Sequence, residues 1–319
     1  MNHSEISVWD LVIIAVYLVT MISIGVYSIR RVKDSEDYYV AGRSFGPLVL
    51  MATVCATIIG GSGLMGRAGV AYSSGFKAIM TAVPYLLGML IFSGIAGRIS
   101  DIGMKYDITS IPELFEMRFG KTAKLLLSLM IAFTMMGTVA SQVTATATIV
   151  KMLGGEIGLS YEIGALIACV VFMLYTATSG LYGVVYTDVL QFYILILFVY
   201  ILIPVASLLS VGGVANFTAN LDPGLVQPYV NGSILGDIVT YLVFTMAGAE
   251  MWQRAFAAKD RKSAKKGMFL GTAVYGVTIF LVFFMGIIAH QIIGDNALAQ
   301  YGSTDAVIPP WPSRCCPSA

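Results

Sequence analysis

Seven stretches of this 319-residue chain contain no Asp, Glu, Lys or Arg: 11–29, 44–66, 78–97, 125–150, 163–187, 189–221 and 267–294, the last interrupted only by His290. Each is near or above the roughly 18 apolar residues that mark a membrane-spanning helix. Charged residues make up 12% of the chain and hydrophobic ones 57%, against roughly 25% charged in soluble domains. A soluble protein with so little charge could hardly wet its surface. A soluble enzyme, a secreted disulfide scaffold and a disordered tail are excluded, and the chain reads as a multi-span membrane protein resident in a lipid bilayer.

Net charge is +1, so total charge points to no nucleic acid and no acidic partner. Four cysteines are too few and too scattered for a disulfide framework. Cys55 and Cys169 lie in apolar runs and read as small packing residues. Glu5 and Asp10 precede the first run where a signal peptide would carry basic residues, so that run reads as a retained helix.

Eight spans follow, at about 8–29, 47–70, 76–97, 122–150, 158–178, 187–210, 236–253 and 267–291. Placing the N-terminus outside puts 15 of the 19 basic residues in cytoplasmic loops and leaves Arg67, Lys77, Lys151 and Arg314 outside. The positive-inside rule selects that orientation. Residues 110–120 (SIPELFEMRFG) read as a short helix in the second inner loop, with Ile111, Leu114, Phe115 and Phe119 on one apolar face. It lies on the lipid interface or is an ordinary loop helix. The outer loop 211–235, rich in Gly, Asn and Pro, reads as irregular.

Two spans differ from the rest. The second contains Gly60, Gly61, Ser62 and Gly63 at its middle, then Gly66 and Gly69. Each glycine weakens a helix by roughly 1 kcal/mol relative to alanine, so the cluster favours unwinding. Unwound backbone at membrane depth needs burial in protein or a polar cavity, where freed carbonyls can hold a cation. The other reading is a small-residue face for close helix packing. The seventh span carries Gly248 and Glu250. An ionisable residue within a span is a functional candidate, although Glu250 also stands four residues before Arg254, where pairing would be ordinary. Two interrupted spans, five apart, suggest an inverted-repeat transporter: spans two to six as one repeat, span seven opening the next.

Other constellations carry less. There is no Walker loop, and two histidines without a His/Cys/Asp cluster argue against a metal site. No paired acid/base or nucleophile constellation lies at one depth, so an enzyme is not expected. Thr134, Thr138, Ser141, Thr144, Thr146 and Thr148 in span four are expected to bond between helices, or to line a cavity. Arg67 is expected to snorkel to the outer interface; contact with a substrate carboxylate is the alternative.

Three strings carry a resemblance. They are Asp37-Tyr-Tyr-Val-Ala-Gly-Arg43, Tyr175-Thr-Ala-Thr-Ser-Gly-Leu-Tyr-Gly-Val-Val-Tyr-Thr-Asp188-Val-Leu-Gln191, and Trp252-Gln-Arg-Ala-Phe-Ala-Ala-Lys-Asp260. In this order and at these loops they resemble the sodium:solute symporter family, carriers of sugars, proline, pantothenate, inositol, sialic acid and iodide. The resemblance implies an all-α integral membrane fold with a leucine-transporter-like core of two inverted five-helix repeats behind one extra N-terminal helix. It implies a sodium site at the first helix break, with carbonyls of Ala56 and Ile59 as ligands and Asp188 near the inner mouth. Asp188 also reads as a helix N-cap with Thr187. Substrate contacts would fall on Gly60, Gly61, Ser62, Gly63, Gly248 and Glu250, with Phe244 near the aromatic gate of sugar carriers. Ile58 stands where proline carriers have an Asp, which speaks against proline.

The resemblance divides the chain into an extra helix and loop (1–45), a first repeat (46–211), the start of a second (212–305) and an aberrant tail (306–319). Four prolines between Pro309 and Pro317 cannot continue a spanning helix. The core is therefore expected to be incomplete, from a frameshift or truncated gene model, and inactive alone. The implied function is Na+-coupled symport of a small organic solute by alternating access, in the plasma or inner membrane, with Na+ as coupling ion and no cofactor. The alternatives are a proton-coupled carrier and a transporter-fold sensor module.

Overall fold

The computed structural model describes residues 8–154, 160–227 and 234–294. Among them helix follows helix, and the one β feature is an isolated bridge between Phe45 and Ala258. In chain order the helices are α1 (Val8–Ile29), α2 (Ser35–Val40), α3 (Pro47–Ile58), α4 (Gly61–Ser74), α5 (Ile79–Tyr106), α6 (Ile111–Phe119), α7 (Lys121–Gly154), α8 (Tyr161–Ile194), α9 (Ile203–Ser210), α10 (Gly213–Ala219), α11 (Ile234–Ala247), α12 (Ala249–Phe256) and α13 (Arg261–Ile293). Local chemistry sets several of these ends. Asp34, Ser160 and Asp260 cap α2, α8 and α13 by accepting a backbone N–H three residues on, and Pro47 and Pro112 sit where a first turn needs no donor.

Each of the eight expected spans falls on helix in its described residues, apart from the two breaks and Ser160, the N-cap of α8. Among the described residues four helices are each long and apolar enough to cross a bilayer unaided: Ala82–Tyr106, Lys121–Lys151, Ser179–Ser210 and Arg261–Ile293. The pair Pro47–Ile58 and Gly63–Ala78, bent by 54°, makes a fifth if counted as one span. Spans five and six are not separated by a loop. α8 runs through the intervening residues and turns only at Gly180 (φ 54°, ψ −153°), then passes through a π-helical segment, Leu195–Leu202, into α9. Residues 211–227, read above as loop, hold more regular structure than their composition suggests. α10 forms there because Phe217 is buried against Phe284, ring centroids 5.0 Å apart. Residues 306–319 lie outside the described residues.

α13 is the central helix, buried against α3, α4 and α5. Small residues allow the approach. At Gly286 an added Cβ would stand 2.4 Å from the Ala68 carbonyl oxygen, and at Gly267 it would stand 2.6 Å from Leu50. α11 lies along α5, and Gly88 of α5 makes room for Thr245. α1 and α7 flank α8. The hydroxyls of α7 do not bridge helices as expected. Thr134, Thr138, Ser141, Thr146 and Thr148 each return to a carbonyl one turn back in α7 itself, because much of this helix faces outward and offers them nothing nearer. In α6, Ile111 packs inward while Phe115 and Phe119 pair with each other on the exposed side.

Candidate ion and solute site

Both glycine-marked spans are broken. The last hydrogen bond of α3 runs from the Ile59 N–H to the Cys55 carbonyl, and the next runs from Leu64 to Gly60. The carbonyls of Ala56 and Ile59 lie in that gap, away from the regular ladder. The helix resumes at Gly61, so Gly61, Ser62 and Gly63 form the first turn of α4. The unwinding reading of the glycine cluster holds, whereas Gly66 has open space where a helix-packing face would be crowded. The helix unwinds at Ile59–Gly60, and the absent side chains let neighbours close in. A Cβ at Gly63 would stand 2.5 Å from the Ile58 carbonyl, and one at Gly60 would press on Gln142 of α7. The second break is a single residue, Gly248 (φ −57°, ψ 111°), whose carbonyl accepts from Met251 at 3.0 Å as α12 starts. The Glu250 carboxylate folds back against Gly248, and its Oε2 is buried with no hydrogen-bond partner. Phe244 is half exposed, whereas its neighbour Thr245 turns into α5.

Arg254 does not pair with the Glu250 carboxylate. It takes the Glu250 backbone carbonyl through Nη1 at 3.0 Å and sends the rest of its guanidinium inward. Nε donates to Thr53 Oγ1 at 3.1 Å, and Nη2 reaches Thr57 Oγ1 and Asp188 Oδ2, the latter at 3.4 Å. Thr53 in turn donates to Asp188 Oδ2. Thr53 and Thr57 sit one turn apart on α3, so α3, α8 and α12 are tied through one buried ionic cluster. The N-cap reading of Asp188 fails because α8 is continuous there, and Thr187 instead returns to Gly183 and Val184. Sequence reasoning missed Thr53, Thr57 and Arg254. The i,i+4 threonine pair in a charge-free run was the available signal.

Arg67 corrects the snorkelling expectation. It turns into the bundle, where Nη1 donates to the Tyr275 hydroxyl and the guanidinium carbon lies 5.1 and 5.3 Å from the ring centroids of Tyr85 and Tyr275. Two aromatic faces give the cation a better environment than the long reach to the interface.

The three strings converge at one end of the bundle. Tyr38 donates to the Ala177 carbonyl at 3.4 Å, and Gln253 donates to the Tyr39 carbonyl at 3.0 Å. Arg43 binds Glu36, the Phe256 carbonyl and the Ile108 carbonyl. Phe45 exchanges backbone hydrogen bonds with Ala257 and Lys259, and its ring meets Tyr182 edge-on at 5.9 Å. Gly42 needs its positive φ of 55° here and has Asp37 Oδ1 at its back. The strings thus form one clamp holding the starts of α3 and α13 beside α8.

Residues 38–311 match the family model described as Sodium:solute symporter family. The chain belongs to that family. It is 27% identical over 297 residues to the sodium/pantothenate symporter of Escherichia coli K12, covering 88% of this chain and 60% of that protein. It is 32% identical over 211 residues to the sodium/proline symporter of the same organism, covering 64% of this chain and 41% of the relative. The fold is that of a Na+-coupled sialic acid symporter solved in a substrate-bound outward-open state, with TM-score 0.75 at 20% identity over 92% of this chain and 64% of that one. The chain spans about 60% of the length of the first curated relatives it matches. Membership makes it a multi-pass membrane protein of a transporter family, with Na+ as the family's coupling ion and no cofactor indicated.

Proposed function

We propose that the protein is a secondary active transporter that moves a small organic solute together with Na+ by alternating access. The observation that carries this reading is the gap at Ile59–Gly60, where the Ala56 and Ile59 carbonyls leave the helical ladder, together with a second break at Gly248. A weakly hydrated cation site needs several hard oxygens, and an unwound turn supplies them without extra charge. The named sodium symporters among its relatives support Na+ as that cation. Asp188, held by Thr53 and Arg254 on the α3 side of the gap, is suited to receive Na+ on its way to the cytoplasm. Gly60, Gly61, Ser62, Gly63, Gly248 and Glu250 would border the solute, and Phe244 would cover it.

In this reading residues 46–211 form the first repeat and 212–305 begin the second, behind the helix and loop of 1–45. The protein lies in the plasma or inner membrane with its N-terminus outside, and performs no covalent chemistry. The unpartnered Glu250 carboxylate favours one second reading, proton coupling through that group. Uptake into membrane vesicles from expressing cells separates the two. Solute accumulation driven by a Na+ gradient and lost when choline replaces Na+ is expected. Uptake indifferent to Na+ but abolished by collapsing the pH gradient would replace symport with Na+ by symport with H+. An unchanged Na+ dependence in Asp188→Asn would remove Asp188 from the ion path.

A further inference from the structure

Arg67 lies on α4, about two turns past the Gly60 break. A cation inside a spanning segment is costly unless something compensates it. Among the described residues no ion pair includes Arg67. Its compensation is aromatic: the rings of Tyr85 and Tyr275 face the guanidinium, and the Tyr275 hydroxyl accepts one N–H. Ring faces stabilise the flat cation but take none of its in-plane hydrogen bonds, and a guanidinium has five N–H donors in a fixed fork. A third tyrosine stands nearby. Tyr200, in the π-helical segment that packs against α13, the helix carrying Tyr275, is 2% exposed with its hydroxyl unpartnered. π-helical turns often mark functional positions because they re-aim one side chain.

Arg67 therefore offers a positive charge and a fork with unused donors, and Tyr200 a buried phenol lacking a partner. A cationic solute would be repelled. A polyol would occupy Tyr200 and leave the charge uncompensated. A carboxylate fits both, because its two oxygens match the guanidinium fork and keep lone pairs for a phenol O–H. Among the described residues no ion pair joins Glu250 to Arg67, so the fork stays available. We infer that the transported solute is a small carboxylate anion, held by Arg67 with Tyr200 donating to the same group. This rests on the solute-transport reading above and names the class of its substrate.

The test compares acids with neutral twins at fixed chloride: pantothenate with pantothenol, sialic acid with its methyl ester, lactate with propane-1,2-diol, and glucose and inositol as neutral controls. Binding is read as a ligand-dependent shift in unfolding temperature of the purified protein in detergent, with Na+ and with choline. The expected result is a Na+-dependent shift from a carboxylate, with affinity for its neutral twin lower by about 30-fold or more. Arg67→Gln abolishes the preference, Arg67→Lys keeps it weakly because charge remains without the fork, and Tyr200→Phe weakens it several-fold. A neutral member bound as tightly as its acid, Arg67→Gln with wild-type carboxylate affinity, or no carboxylate bound at all would overturn the inference. If Arg67→Gln does not fold, the acid–neutral comparison on the unaltered protein still decides. A neutral solute bound only with Na+ would sink the carboxylate inference and leave Na+ coupling standing. A carboxylate bound through Arg67 equally in choline would do the reverse.

Discussion

Replacing Arg254 by methionine removes the cation from the α3–α8–α12 cluster while keeping a side chain of comparable reach. The Arg254 Nη2 to Asp188 Oδ2 distance is 3.4 Å, and the two side chains are 5% and 12% exposed, so water screens them little. At an effective dielectric of about 20 their attraction is about 5 kcal/mol. Desolvation of both charges offsets much of that in the intact protein, so the pair contributes little relative to a well-packed apolar pair. Loss of one partner is different. Asp188 would remain buried with Thr53 as its hydrogen-bond donor, and breaking a buried pair in this way costs roughly 3–5 kcal/mol. Asp188→Asn leaves the opposite orphan charge and is expected to cost a similar amount. The double variant Arg254→Met with Asp188→Asn strands neither charge and should recover to within about 2 kcal/mol of the parent. Unfolding in graded SDS–detergent micelles, followed by near-UV circular dichroism, measures all three. A loss under about 1 kcal/mol for Arg254→Met, or purely additive single losses in the double variant, would refute the cluster as a buried, mutually compensated unit.

Three further outcomes use the same assay. Gly286→Ala puts a methyl against the rigid Ala68 backbone and should cost about 1–3 kcal/mol, whereas Gly66→Ala, with open space at its Cβ, should be neutral or stabilising. Gly180→Ala forces a methyl into a positive-φ bend with the Tyr38 carbonyl 2.7 Å away, and should cost about 1–3 kcal/mol while loosening the clamp. The Ser263 backbone N–H holds the Asp260 carboxyl below the usual carboxylate range, so the α13 cap is fully present above its unfolded value, about 3.9, and is lost as pH falls through the folded value. The Asp260→Ala deficit in unfolding midpoint should therefore be largest at neutral pH and shrink in acid; a deficit independent of pH would show that the charged cap is not its source.

Helix content and the two breaks were legible because each has a local cause. Charge-free runs fix helix length in lipid, and clustered glycines fix where a helix can unwind. Gly60 and Gly248 both fall where the ladder fails. The join between spans five and six was not legible, because Tyr182, Tyr186 and Asp188 look like loop chemistry when read alone. Other segments pack on them: Phe45, just past the first string, on Tyr182 and Tyr186, and Arg254 of the third string on Asp188. The same holds for the α7 hydroxyls, whose partners depend on which face of that helix is covered. The residue strings identified the family, but they gave no sign that all three build one clamp, since that follows from long-range backbone contacts such as Phe45 with Ala257 and Lys259.

The two inward-turned arginines show why a sequence pattern alone could not place the site. Arg67 ends one charge-free run and Arg254 opens the last basic loop, so in sequence both read as boundary charges. In the fold they stand on opposite sides of the Ile59–Gly60 gap, with Thr53 and Thr57 before it and α4 after it. Arg254 is nearly saturated: a backbone carbonyl, two threonine hydroxyls and a carboxylate take four of its five N–H donors. Arg67 has one hydroxyl acceptor and two ring faces. A saturated buried cation fixes the elements around it, because any movement strands a charge. An unsaturated one gains most when an anion arrives, so its bound and unbound states differ strongly in energy. That difference is what a solute must supply to bias a two-state transporter. Arg254 ties α3, α8 and α12 together, and in the proposed reading Arg67 is the residue that recognises the solute.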